Sequence, residues 1–169
     1  MRTRIFLSVF ILFIVFSCKK ENNELMTANA AHSQVGGQAL PIKGSFTTVN
    51  EILQPPPNVV QRVTGTGTAS FLGSCTFVAM TNVTISGAPP FAVSGTKTFT
   101  AANGDQLFTS FTGTSHPIAT DVTQANLHEV ITGGTGRFEN ASGSFETTAI
   151  ADKVTPSFTA TIAGEIILK

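Results

Sequence analysis

From Ile42 to the C-terminus the chain alternates apolar and polar residues in short stretches, each broken by Gly, Pro or Asn. A period of two marks half-buried strands, because successive strand side chains point to opposite faces. Ile42, Gly44, Phe46, Thr48 and Ile52 share a face opposite Lys43, Ser45, Thr47 and Glu51, predicting a strand over 42–52. Gln54-Pro55-Pro56-Pro57-Asn58 ends it, since proline has no ladder donor. A second strand over 60–71 sets Val63, Gly65, Gly67, Ala69 and Phe71 against Thr64, Thr66, Thr68 and Ser70. Leu72-Gly73 then bends the chain into 74–85, where Cys75, Phe77, Ala79, Val83 and Ile85 align. After a loop over 86–90, strands at 95–101 and 105–113 form a hairpin around Ala102-Asn103-Gly104. Asn-Gly is the strongest short hairpin signal. A polar loop through His116-Pro117 leads to strands at 126–132, 142–151 and 156–168.

That pattern gives eight strands and no amphipathic helix, hence an all-β fold. We expect an eight-stranded antiparallel barrel, with a two-sheet β-sandwich as the alternative. Closure removes the exposed edges that a Thr-rich sheet would offer for aggregation. An eight-stranded interior is just wide enough for side chains or for one small ligand. Inward Gly65 and Gly67 facing inward Phe suit either a tight fill or a cavity.

The N-terminus follows a different rule. Met1-Arg2-Thr3-Arg4 is basic, residues 5–16 are apolar except Ser8, and Ser17-Cys18 follows. The apolar run is short of the roughly 20 residues that a spanning helix needs and matches a secretory h-region. Val15-Phe16-Ser17-Cys18 resembles the lipobox of bacterial lipoproteins, whose Cys takes a diacylglycerol and becomes the acylated new N-terminus. The resemblance implies a signal peptide over 1–17, a polar tether over 18–40 headed by lipidated Cys18, and a barrel domain over 41–169. It also implies attachment to a membrane of the bacterial cell envelope, at ~0.8 kcal/mol per buried methylene. A flexible tether of about 20 residues separates its ends by roughly 25 Å. Acylation of Cys18 would leave Cys75 as the one free thiol, excluding an intramolecular disulfide. Beside Phe77 in a strand pattern, Cys75 reads as a small buried hydrophobe.

Composition sharpens this picture in two places. Charged residues are 12% of the chain, about half the usual quarter. Loss of Arg2 and Arg4 with the signal leaves eight Lys/Arg against ten Asp/Glu. No clustered basic face remains for nucleic acid. The aromatic content is entirely Phe, with no Trp or Tyr.

The stretch over 131–145, ITGGTGRFENASGSF, is the most distinctive motif. It fails as a nucleotide loop: no Lys-Ser/Thr follows a Gly at P-loop spacing, and Glu139 stands where GxGxxG needs its last Gly. It reads instead as strand, Gly-rich corner, strand, with Gly133, Gly134, Gly136 and Gly143 as structural turn residues and Phe138 able to fold back as a plug. The pattern G-G-T-G-x-F-x-x-A-x-G resembles the corresponding turn of the allene oxide cyclase and dirigent proteins, which are eight-stranded barrels. It is similar also to bacterial secreted lipoproteins of that barrel type, as are TGTGTASFLG over 64–73 and ANGDQLFTSFTG over 102–113. The resemblance covers roughly 43–169 and implies the barrel. Its motifs are turn and packing residues, and no stretch here matches the early Asp-containing motif of the dirigent proteins.

Residues able to carry chemistry are Asp105, His116, Asp121, Asn126, His128, Glu129, Arg137 and Glu139. His128 and Glu129 are strand neighbours and point to opposite faces. If Val130 and Thr132 face inward, so does His128; if Leu127 and Ile131 do, Glu129 lies inside. An internal Glu is costly unless paired, and Arg137 is the nearest basic residue in sequence. His128, Glu129 and Arg137 are therefore the candidate ligand-binding residues. His32, His116 and His128 stand apart, so no metal-ligand spacing arises. No Ser sits in a G-x-S-x-G elbow, and no cofactor motif is present. The expected function is a non-enzymatic barrel holding a small apolar ligand or contacting a partner at the envelope. A cyclase or isomerase acting inside the barrel is the alternative, and it requires at least two of the three candidates to converge. An adhesive role for the Thr-x-Thr face of 64–68 ranks below both.

Overall fold

The computed structural model describes residues 37–152, 154 and 157–169; the expected signal peptide, Cys18, His32 and most of the tether lie outside the described residues. The strands are β1 (Ala39–Gln54), β2 (Asn58–Ala69), β3 (Gly73–Thr84), β4 (Phe91–Ala101), β5 (Gln106–Ala119), β6 (Val122–Gly134), β7 (Ser142–Asp152) and β8 (Ser157–Ile167). Each pairs antiparallel with the next, and β1 pairs with both β2 and β8, so the sheet closes into a barrel. A two-sheet sandwich is thereby overturned. The one helical element among the described residues is a 3₁₀ turn over Gly136–Phe138.

Departures from the expected pattern have local causes. Ala39 and Leu40, assigned above to the tether, pair with Ile167 and Ile166 and belong to the barrel. β5 runs through His116 and Pro117 to Ala119, with an irregularity between Pro117 and Ala119 where proline interrupts the ladder. Ile52 shares the parity of the inward residues yet is 63% exposed. The register of β1 with β8 ends at Val49, so the last residues of β1 project with β2 beyond the closed wall. Phe71 adopts φ 64 in the turn after β2, which breaks the alternation. Leu72 rather than Phe71 is therefore the fully buried residue there.

The exterior is dominated by Thr. Thr159, Thr47, Thr66, Thr76 and Thr100 sit opposite one another in sequence across β8, β1, β2, β3 and β4. Branching at Cβ suits a pleated, solvent-facing position.

Because the strands alternate up and down, the connections after β2, β4 and β6 lie at one end and those after β1, β3, β5 and β7 at the other. At the end carrying residues 70–72, 102–105 and 135–141 the interior is filled. The rings of Phe46, Phe77 and Phe99 pack mutually, with centroids 5.3, 5.5 and 5.7 Å apart, and Phe145 lies 6.2 Å from Phe99. Such pairs contribute about 0.5–1.5 kcal/mol each beyond their buried area. Phe138 enters from the 3₁₀ turn and is completely buried, in the same core cluster as Ile42, Leu72, Leu107 and Ile166. The corner that delivers it uses positive φ at Gly133 and Gly136, +133° and +57°, which glycine adopts without steric cost. Gly65 leaves room for a ring, since a Cβ there would lie 2.2 Å from Phe77 Cε1.

Candidate functional site

At the opposite end most inward positions are Val, Ala and Thr; Ile85, Phe91 and Phe158 also line it near the mouth, and the interior is not filled. A cavity of about 430 Å³ occupies this half of the barrel, within the roughly 300–1,000 Å³ typical of small-molecule sites. Val63, Ala79, Val83, Val93, Ala125 and Ala149 form much of its wall. Asn50 and Pro117, both exposed, mark where it reaches solvent. Phe77, Phe111, Lys97 and Thr147 line its inner part.

Lys97 and Glu129 are the centre of the site. On β4, Lys97 shares its face with Val93, Phe99 and Ala101, all buried. On β6, Glu129 lies between inward Leu127 and Ile131 and is 0% exposed. β5 separates the two strands, so the lysine side chain reaches across its inner face to the carboxylate. Lys97 Nζ donates to Glu129 Oε1. Thr147 Oγ1 donates to the same oxygen at 2.5 Å, and Thr109 Oγ1 donates to Oε2 at 2.9 Å. An unpaired charge here would be expensive. Three donors on one carboxylate, one of them a cation, offset that cost. The ammonium also lies over the rings of Phe77, Phe99 and Phe111, 5.0, 5.3 and 5.5 Å from their centroids, a favourable arrangement for a desolvated cation.

Of the three candidate ligand-binding residues, the structure brings only Glu129 into the barrel. His128 points outward and meets Glu146 at 2.6 Å, with both side chains more than half exposed; such a pair contributes about 0–1 kcal/mol. Arg137 lies outside on the 3₁₀ turn, because its neighbour Phe138 takes the inward position. Its guanidinium is 3.5 Å from Asp105 and 5.1 Å from the Phe138 ring centroid. The partner of Glu129 is thus Lys97 and not Arg137. Asp105 is a turn residue that accepts from Asn103 Nδ2 at 2.8 Å and from the Arg137 backbone N–H at 3.3 Å. Asp121, Asn126 and Glu139 are exposed, and His116 is half-buried on β5.

Sequence reasoning missed Lys97. Its parity with Val93, Phe99 and Ala101 was the available signal, and a lysine in phase with a buried stripe demands a buried acid. Cys75 packs in the filled half; burial pushes its thiol up, and a backbone hydrogen bond with Ala69 pulls it down more weakly. Among the described residues no group of three or more His, Cys, Asp or Glu is placed to hold a metal ion. No family model, curated protein or solved structure matches the chain.

Proposed function

We propose that this protein binds a small, mainly apolar molecule in the open half of its barrel, and does so as a lipid-anchored protein of the bacterial cell envelope. The cavity carries the reading: about 430 Å³, mostly apolar, entered from one end, with a buried ion pair at its inner part. Membership of the allene oxide cyclase and dirigent-like barrels is proposed with it, supported by the closed eight-stranded meander and the Gly133–Phe138 corner. Attachment at Cys18, on the periplasmic or the surface face of the outer membrane, rests on the Val15–Cys18 pattern. A cyclase- or isomerase-type reaction is the second reading, favoured by the Lys97–Glu129 pair. Binding takes precedence because the Glu129 carboxylate is fully buried and already accepts three hydrogen bonds, leaving little capacity to act as a base toward a ligand.

The binding reading is tested by native mass spectrometry of the purified protein before and after organic extraction, and by uptake of the apolar fluorophore phenylnaphthylamine. An extractable mass or saturable fluorescence is expected. A barrel that carries nothing and takes up no probe would overturn it. Palmitate labelling that is lost in Cys18→Ala checks the anchor separately.

A further inference from the structure

The inner end of the cavity has an unbalanced hydrogen-bond inventory. An ammonium carries three donors, and Lys97 Nζ has one oxygen acceptor among the described residues, Glu129 Oε1. Its other neighbours are aromatic faces. Glu129 is in the opposite condition, with donors on both oxygens and no exposed surface. Thr81, nearer the mouth than Ala79, which faces Lys97, lines the cavity and has no side-chain hydrogen bond to the described residues. At this inner end the donors left over belong to Lys97 and Thr81, both bordering the cavity; Ser115 and Thr123, whose hydroxyls also line it, lie nearer the mouth, opposite Phe91 and Pro117. The ammonium can only donate and the Thr81 hydroxyl can donate or accept, so an acceptor is the one group that can meet both.

Charge decides what kind of acceptor. Lys97 and Glu129 sum to zero, and no other cationic side chain lines the cavity among the described residues. A carboxylate or phosphate ligand would leave a net negative charge buried without a counterion, which is costly. A neutral acceptor meets the free donors at no such cost. Size sets the third constraint: at the ~30 Å³ that a water occupies in the liquid, about 430 Å³ accommodates on the order of a dozen non-hydrogen atoms. The retention of an ion pair where hydrophobic residues would pack at least as stably points the same way.

We propose that the ligand class is a neutral, medium-chain apolar molecule ending in a hydrogen-bond acceptor, a ketone or ester carbonyl above all, with that oxygen held by Lys97 and its chain directed toward the mouth. This rests on the binding function proposed above and adds head-group selectivity to it. Lys97 contacts the ligand, and Glu129 is a positioning residue that neutralises and orients the ammonium.

The test is displacement of phenylnaphthylamine from the full-length protein at neutral pH by three probes of matched chain: methyl nonyl ketone, undecanoic acid and undecane. The ketone is expected to compete about ten-fold more tightly than either of the others, the value of one hydrogen bond to a charged group. Lys97→Met together with Glu129→Gln removes both charges and keeps an amide within reach of the Thr109 and Thr147 hydroxyls, and a cooperative urea transition checks that the barrel is retained. In that variant the fluorophore and undecane still bind while the preference for the ketone disappears. If the fluorophore binds but undecanoate competes as well as the ketone, or ketone and alkane compete alike, the head-group assignment is overturned and the binding function stands. If the wild-type protein takes up no fluorophore at all, the binding function itself fails.

Discussion

The two halves of this barrel share one sheet and one alternation pattern but differ in what fills them. In the half closed by residues 135–141, inward Phe46, Phe99, Phe145 and the inserted Phe138 leave no room. In the other half the inward residues are mostly Val, Ala and Thr, Phe91 and Phe158 are only half-buried near the mouth, and a cavity remains. Inward side-chain volume is the main distinction, because the ladder runs through both halves with shifts only at Ile52/Gln54, Phe108/Thr109 and Pro117/Ala119. The buried Lys97–Glu129 pair sits where the two regimes meet. One barrel can thus spend half its length on stability and the other half on a ligand.

Phe99→Ala attacks the filled half where Phe46, Phe77 and Phe145 converge. It should cost about 3–5 kcal/mol, read as a large fall in the urea midpoint. If that loss is below ~1 kcal/mol, the filled half is not the stability core and the contrast collapses. At the junction, Glu129→Leu strands Lys97 and should cost about 3–5 kcal/mol, whereas adding Lys97→Met should recover most of it. A double-mutant cycle in urea measures the coupling, and independent effects would show that the two groups are not paired.

Small-to-larger changes should have opposite outcomes in the two halves. At Gly67 a Cβ would lie 2.0 Å from the Ser45 carbonyl oxygen, so Gly67→Ala should destabilise by about 1–3 kcal/mol. At Ala149, which faces the cavity, Ala149→Leu should leave the midpoint unchanged or raise it by about 0.5–2 kcal/mol, as cavity filling does, while blocking uptake of the fluorophore. Equal destabilisation at both positions would mean that the second half is packed as well.

The smallest effect concerns Cys75 in the filled half. Burial raises its thiol above the ordinary value of 9.0. Between that value and the folded one, the unfolded chain has lost a proton that the folded chain keeps, so stability falls with rising pH. The contribution is fully present below about 9.0 and disappears as the pH rises through the folded value. Cys75→Ala should flatten this alkaline limb in urea titrations, and an unchanged slope would show that another group causes it.

Much of the fold was legible because a strand records its environment residue by residue. The alternations in 74–85 and 142–151 differ from β3 and β7 by a residue at most at either end. The Asn103-Gly104 turn sits where its sequence puts it, with φ +89° at Gly104. Residues that depart from alternation were harder to read. Phe71 and Leu72 exchange roles through one positive φ, and Ile52 loses its burial because β8 ends its pairing at Val49. The site was half legible: Glu129 was a candidate with two faces open, and Lys97 was not among the candidates.

The sequence by itself determined the strands, the Gly-rich corner and the presence of an acid in a strand otherwise rich in apolar residues, because these depend on local geometry and side-chain type. Tertiary structure alone decided closure, the face on which Glu129 lies, its pairing with a lysine 32 residues away and the emptiness of one half. Closure brings distant strands into register, and a cavity is the difference between the circumference that eight strands enclose and the volume that their inward side chains supply. Neither quantity is written at any single position.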